Sequence, residues 1–445
     1  MSFNPYEQKG ISLEKQLRNW HQLAHFKFNK NDIDCYSRTR QILMNGIEIE
    51  AWGYKHAFSR LFPDKEACDL VSLIRKIEDQ QQTTVNFMSP EDQTVLETTL
   101  AYEQVAVDLT AWLALNEPDD YVKETFDFGL IEDFDHLYRY SQWCYMMHGI
   151  KPNDVVQSQT DIFLGRPTQY HHNQNDVRIR KPYDKDTTLP QTKINIMTLI
   201  AAEQQTHNYY AEHGMEYGNN ILRETYAEIK DVEEEHVTMY ESLIDRSETM
   251  LEKLLLHEYC EVCNYYTCYK DEPNEKMKHI WELFLSYELE HLHLVADLFK
   301  KHEKRDPEEV TGNKIIIPSH FESNQKYVGE IVQSEIDKRL DDKMGYCKTY
   351  EIDADWRNYD AMKKMNDFGA ATEQTIHIIA KHKGADIVKA SDELKDKQVE
   401  LLAKAVDENY SAPNTVMPVK LEKMKEIRKG KKNFKLDIEQ HELDK

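Results

Sequence analysis

The sequence predicts an all-α fold, and three observations carry that expectation. Glycine and proline number only 14 and 13 in 445 residues, roughly half their usual share, so backbone breakers are sparse. Apolar residues recur at three- and four-residue intervals through long segments, the period of a helix with one buried face. Only 313–321 reads as extended, with Ile315, Ile316 and Ile317 ahead of Pro318, and it is too short to imply a sheet. With 40% hydrophobic residues the chain can bury a core, and its length allows two or three domain-sized units.

The first expected helix covers 36–62, with Leu43, Ile47, Glu50, Tyr54 and Phe58 on one stripe after the Asn31-Asp32 start signal. A shorter helix follows at 65–82. The third covers 91–116 and stops at Glu117-Pro118-Asp119-Asp120, and the fourth covers 129–148. Residues 149–191 hold Pro152, Pro167, Pro182 and Pro190 with few apolar repeats, so they form a long crossover connection. Four helices then follow closely at 192–213, 221–245, 248–270 and 274–301. Their turns are Gly218-Asn219-Asn220, Asp245-Arg246-Ser247 and Asp271-Glu272-Pro273. Further helices are expected at 322–341, 355–383 and 391–407, before a charged tail at 413–445.

Charge and motifs narrow the function classes. The formal charge is −24, which repels nucleic acid and anionic membranes, so neither is an expected partner. The start lacks a basic segment followed by an apolar run, and no stretch is long and apolar enough to span a bilayer. Seven scattered cysteines suit a reducing compartment, so the cytoplasm is the expected location. There is no Gly-rich phosphate loop and no G-x-S-x-G elbow, which argues against nucleotide hydrolysis and serine-hydrolase chemistry.

Acidic residues and histidines interrupt the apolar stripes in a repeated pattern. Glu103 lies on the stripe of the third helix, and Asp133 and His136 lie three apart on that of the fourth. Glu203 occupies the same place on the next helix, followed by Glu233 and His236. Glu103 to Asp133 and Glu203 to Glu233 are each 30 residues, with midpoints at Pro118 and Gly218, inside the expected turns. Equal distances from a hairpin turn put both carboxylates at one height on adjacent helices. Four carboxylates in an apolar interior are costly to desolvate, and two divalent cations would neutralise them while the imidazoles add ligands without charge.

At these residues the chain resembles the ferritin-like di-metal carboxylate superfamily, which includes ferritins, rubrerythrins, ribonucleotide reductase small subunits and diiron oxygenases. The resemblance covers about 91–245 and departs from the commoner pattern in having aspartate at Asp133. It implies a ferritin-like four-helix bundle with additional N- and C-terminal helices: 1–90 packing on the bundle, 91–245 the bundle itself, 246–310 an added hairpin, 311–412 C-terminal helices and 413–445 a tail. It further implies that Glu103, His136, Glu203 and His236 each serve one metal and that Asp133 and Glu233 bridge the pair. Two divalent ions are expected, iron first, with manganese or a mixed Mn/Fe pair as alternatives. The expected activity is oxidoreduction with dioxygen or hydrogen peroxide, an external electron donor and an unidentified substrate. The length of the chain favours an oxidase, oxygenase or peroxidase over an iron store. A ferroxidase or metal-handling protein and a non-catalytic helical interaction protein are the other classes, and a homodimer is compatible with all three.

A third copy of the pattern competes for the same role. Glu258 lies 30 residues before Glu288, His291 follows, and Pro273 is the midpoint. Topology favours the first frame: a crossover must span about 30 Å for a 20-residue helix. The 67 positions from His136 to Glu203 allow this, whereas the 22 from His236 to Glu258 suit a plain hairpin. Glu258, Glu288 and His291 are therefore a buried polar network or a second metal site. His207 stands four after Glu203 as an extra ligand or a structural histidine. Cys260 and Cys263 form a lone C-x-x-C, too few for a tetrahedral sulfur site, and read as core thiols or a redox pair. Tyr140, Tyr210 and Tyr240 share stripes with the expected ligands, and 166–172, with His171-His172, would cap the bundle. The basic run from Lys420 to Lys435 reads as a solvated face or a dock for an acidic partner.

Overall fold

The computed structural model describes residues 3–163, 165, 173–348, 351, 364–366, 370, 371, 374, 375 and 378. The expected capping segment 166–172, most of 355–383, and the whole of 391–407 and 413–445 lie outside them. The described residues are predominantly helical, and most of the long helices begin where the sequence supplies a side-chain cap. Asp34 caps α1 (Cys35–Leu61) and, after Pro63, Asp64 caps α2 (Lys65–Asn86). A Thr94/Glu97 capping box starts α3 (Val95–Asn116), a turn later than the apolar pattern suggests.

Asp119 accepts from the backbone N–H groups of Tyr121 and Val122 and starts α4 (Asp120–His148), which Gly149 ends with φ 66°. The expected start at 129 is therefore corrected to Asp120. Pro190 opens α5 (Pro190–His213), Asn219 caps α6 (Asn220–Glu241), and a Thr249/Glu252 box starts α7 (Met250–Asp271). Asn274 caps α8 (Glu275–Glu303). The stretch expected to be helical at 322–341 splits into α9 (Gln325–Glu335) and β1 (Lys338–Leu340), which pairs antiparallel with β2 (Tyr346–Lys348). The isoleucine run at 315–317 forms no strand; Ile315 N–H donates to the Phe3 carbonyl at 3.3 Å.

Eight of these helices make two four-helix bundles. In the first, α3 lies along α4 and α5 along α6, while α3 meets α5 and α4 meets α6. In the second, α1 lies along α2 and α7 along α8, while α1 meets α7 and α2 meets α8. The N-terminal hairpin and the hairpin after α6 thus pack on each other and not only on the first bundle. The bundles share a wall, because α1 also touches α3 and α5, and α7 touches α5. This placement buries every residue of α1 from Ser37 to Glu48, and every residue of α4 from Thr125 to Cys144. No helix among the described residues is long and apolar enough to cross a membrane.

Candidate metal centre

The six residues expected from the sequence converge inside the first bundle. Glu103 comes from α3, Asp133 and His136 from α4, Glu203 from α5, and Glu233 and His236 from α6; each is at most 1% exposed. They form two overlapping groups whose donor atoms lie within 4.8 Å of one another. One group is Asp133, Glu203, Glu233 and His236; the other is Glu103, His136 and Glu233. Glu233 belongs to both. His236 Nδ1 lies 3.4 Å from Asp133, 3.5 Å from Glu203 and 3.2 Å from Glu233. His136 Nδ1 lies 3.0 Å from Glu233 Oε1 and 4.0 Å from Glu103 Oε2, and the two imidazole rings are 6.2 Å apart.

Polar bookkeeping inside this cluster is incomplete. Both oxygens of Asp133, both of Glu203, Oε2 of Glu103 and Oε2 of Glu233 are buried and accept no hydrogen bond. A buried acceptor left this way costs about 1–3 kcal/mol, more when charged. Burial, reinforced by the neighbouring charge of Glu203, pushes Glu103, Asp133 and Glu233 well above the usual carboxylate range. Without a cation at its centre, this cluster takes up protons.

A charged frame outside the six fixes one imidazole. His236 Nε2 donates to Glu132 Oε2 at 2.6 Å, so Nδ1 is the ring nitrogen that faces the carboxylates. Arg178, from the crossover between α4 and α5, forks onto both oxygens of Glu132 at 3.0 Å each and donates from Nε to Glu235 at 2.7 Å. Burial opposes the charge on Glu132, but Arg178 and His236 overcome it and hold the carboxyl down to about 2. Tyr210 donates to Glu103 Oε1 at 2.5 Å. Tyr140 and Tyr226 pack on the Tyr210 ring at 5.1 and 5.6 Å, and Tyr240 lies 6.1 Å from the His236 ring.

Some expected residues stand apart. His207 is only half-buried and its Nδ1 pairs with Asn208 at 3.1 Å, so it is not in the cluster. Cys260 and Cys263 are buried and not disulfide-bonded; burial pushes Cys260 up to about 12, an unreactive thiol. Glu50 is half-buried and pairs with His257 at 2.7 Å, away from both clusters. The buried acid of α1 is Glu48.

Glu258, Glu288 and His291 do not join Glu203; they form a second cluster in the second bundle, with Glu48, Glu78, Gln81 and Glu261. The two clusters are related by a constant offset of 155 residues. Glu48, Glu78 and Gln81 correspond to Glu203, Glu233 and His236, while Glu103, Asp133 and His136 correspond to Glu258, Glu288 and His291. Glu48 to Glu78 is a fourth 30-residue hairpin, centred on Pro63. That spacing is its sequence signal, hidden because Gln81 stands where the other copies have histidine. Glu132 and Arg178 had no such signal. No protein-family model, curated protein or solved structure matches this chain.

Proposed function

We propose that the first bundle is a ferritin-like di-metal centre and that the protein is a non-haem oxidoreductase acting with dioxygen or peroxide. The observation that carries this reading is the His236 imidazole, whose Nε2–H is tied to Glu132 while its Nδ1 faces three carboxylates. Facing those anions, Nδ1 either carries a proton, which the neighbouring carboxylates favour, or gives its lone pair to a cation that displaces the proton. Two divalent ions would cancel the four carboxylates, and mixed imidazole and carboxylate donors suit iron or manganese. Glu103 and His136 would hold one ion, Asp133, Glu203 and His236 the other, with Glu233 shared. Such a pair, when bound, supplies electrons to an oxidant.

The chain's own residues set the conditions for that chemistry. Arg178 and Glu132 keep His236 in one tautomer and one orientation. Tyr210 holds Glu103 by a hydrogen bond that a phenol can also give up as a proton. The surrounding apolar side chains of α3 to α6 exclude water and raise the strength of every charge interaction inside. Acids that were surface residues would support a simple interaction scaffold; these four are buried.

Stoichiometry and oxygen uptake test the proposal together. The Glu203→Ala/Glu233→Ala protein is expected to hold two fewer iron or manganese ions per chain than wild type and to lose oxygen or peroxide consumption with a supplied reductant. Equal metal content in the two proteins would overturn it. Catalytic Fe(II) oxidation without a reductant or organic substrate would move the assignment to a ferroxidase.

A further inference from the structure

The second bundle carries the same scaffold with several changes of residue, among them the longer Glu288 in place of Asp133. Gln81 replaces the imidazole of His236, Glu261 stands where Ala106 does, and Lys55 stands where Tyr210 does, each 155 residues apart. Lys55 is fully buried; its ammonium contacts Glu78 and lies 3.0 Å from Glu258 and 3.1 Å from Glu261. It therefore sits as a built-in cation between the Glu78 and Glu258 carboxylates. His291 adds no free nitrogen there, because Nδ1 faces Glu288 at 3.0 Å and Nε2 faces Gln16 Oε1 at 2.8 Å.

The other half of the cluster is only partly neutralised: Lys55 reaches Glu261 and His291 faces Glu288, while Glu48 accepts only from the neutral Gln81 and Tyr265. Glu48, Glu261 and Glu288 each present an oxygen, all within 4.8 Å of one another, from three different helices. Glu48 Oε2, Glu261 Oε1 and Gln81 Oε1 are buried and accept no hydrogen bond, and all three side chains are at most 1% exposed. The formal count points the same way: with histidine neutral, five carboxylates against the Lys55 ammonium leave negative charge in excess. One lysine cannot neutralise five carboxylates.

We propose that the second bundle binds one hard divalent cation, of the Mn(II) or Mg(II) class, through Glu48, Glu261 and Glu288, and that Lys55 permanently occupies the neighbouring cation position. An all-oxygen donor set selects such ions over softer ones. The site is mononuclear because the ammonium and the second ion cannot share the space between Glu78 and Glu258. It pins α1, α7 and α8 together, beside the wall that the two bundles share.

Mn(II) alone is the probe, added to full-length protein stripped with a chelator and counted by elemental analysis. Glu203→Ala/Glu233→Ala, which empties the first centre, is expected to retain one Mn(II) per chain. Adding Glu48→Gln and Glu261→Gln, close in shape to the originals, is expected to abolish it, with helicity checked by circular dichroism. Lys55→Met in the same first-centre background is expected to raise the count from one to two. The proposal is overturned if Glu203→Ala/Glu233→Ala binds no Mn(II), if the ion survives loss of Glu48 and Glu261, or if Lys55→Met leaves the count at one. These outcomes separate from those of the first centre: wild type at two ions and the double variant at none would sink this site and spare the other.

Discussion

Replacing Glu132 by glutamine tests whether the frame around His236 serves metal binding. Glu132 Oε2 accepts both His236 Nε2 at 2.6 Å and Arg178 Nη1 at 3.0 Å, and Oε1 accepts Arg178 Nη2 at 3.0 Å. An amide offers one acceptor oxygen, so His236 or one tine of the guanidinium fork meets an N–H instead. Arg178 keeps Glu235 as its counter-charge, which limits the cost to the fold. Loss of such an outer partner typically weakens a metal site about 10–100-fold, or roughly 1.4–2.7 kcal/mol. Glu132→Gln is therefore expected to show this drop in competition titrations of Fe(II) or Mn(II) against a chelator, with the metal-free unfolding midpoint little changed. Arg178→Ala is the harsher change: it leaves Glu132 and Glu235 buried without their cation, and breaking a buried pair this way costs about 3–5 kcal/mol. Wild-type metal affinity in Glu132→Gln would refute the reasoning.

Three further outcomes follow from the same geometry. Glu233 belongs to both donor groups, so Glu233→Ala should lose both ions of the first centre together, and elemental analysis showing a fall of only one ion per chain relative to wild type would contradict the shared role. Asp108 is buried and its carboxyl is pushed up to about 8 by desolvation, so the folded state holds a proton that the unfolded state releases above pH 4. Stability from this group is greatest at low pH and falls as pH rises from about 4 to 8, by up to ~1.4 kcal/mol per unit; Asp108→Asn should flatten that slope in urea melts at pH 5 and pH 8. Tyr210→Phe removes the donor to Glu103 and should destabilise metal-free protein by about 1–3 kcal/mol, read by denaturant unfolding.

The hairpins carrying the first centre were legible because their turns are chemically marked. Pro118 and Gly218 sit midway between carboxylates that the structure brings together, and His136 and His236 project with them. The fourth hairpin was not legible by the same route. Every position from Ser37 to Glu48 is buried, since α1 lies between both bundles, so apolar periodicity there marks no single face. The stripe accordingly lands on Glu50, which pairs with His257, in place of Glu48. Gln81 then removes the histidine that flags the other three copies. The start of α4 was missed for a related reason: Phe126, Phe128 and the residues around them are buried on all sides, and only the Asp119 cap reveals the boundary. Arg178 reaches Glu132 from an irregular crossover, where no spacing rule connects sequence to position.

Anomalous diffraction at the iron or manganese edge, from crystals of metal-loaded protein, tests the central claim most directly. Two peaks are expected in the first bundle, one between Glu103 and His136 and one between Glu203 and His236, with Glu233 reaching both. Carboxylates closed on one another or on ordered waters, with no anomalous signal among them, would contradict it.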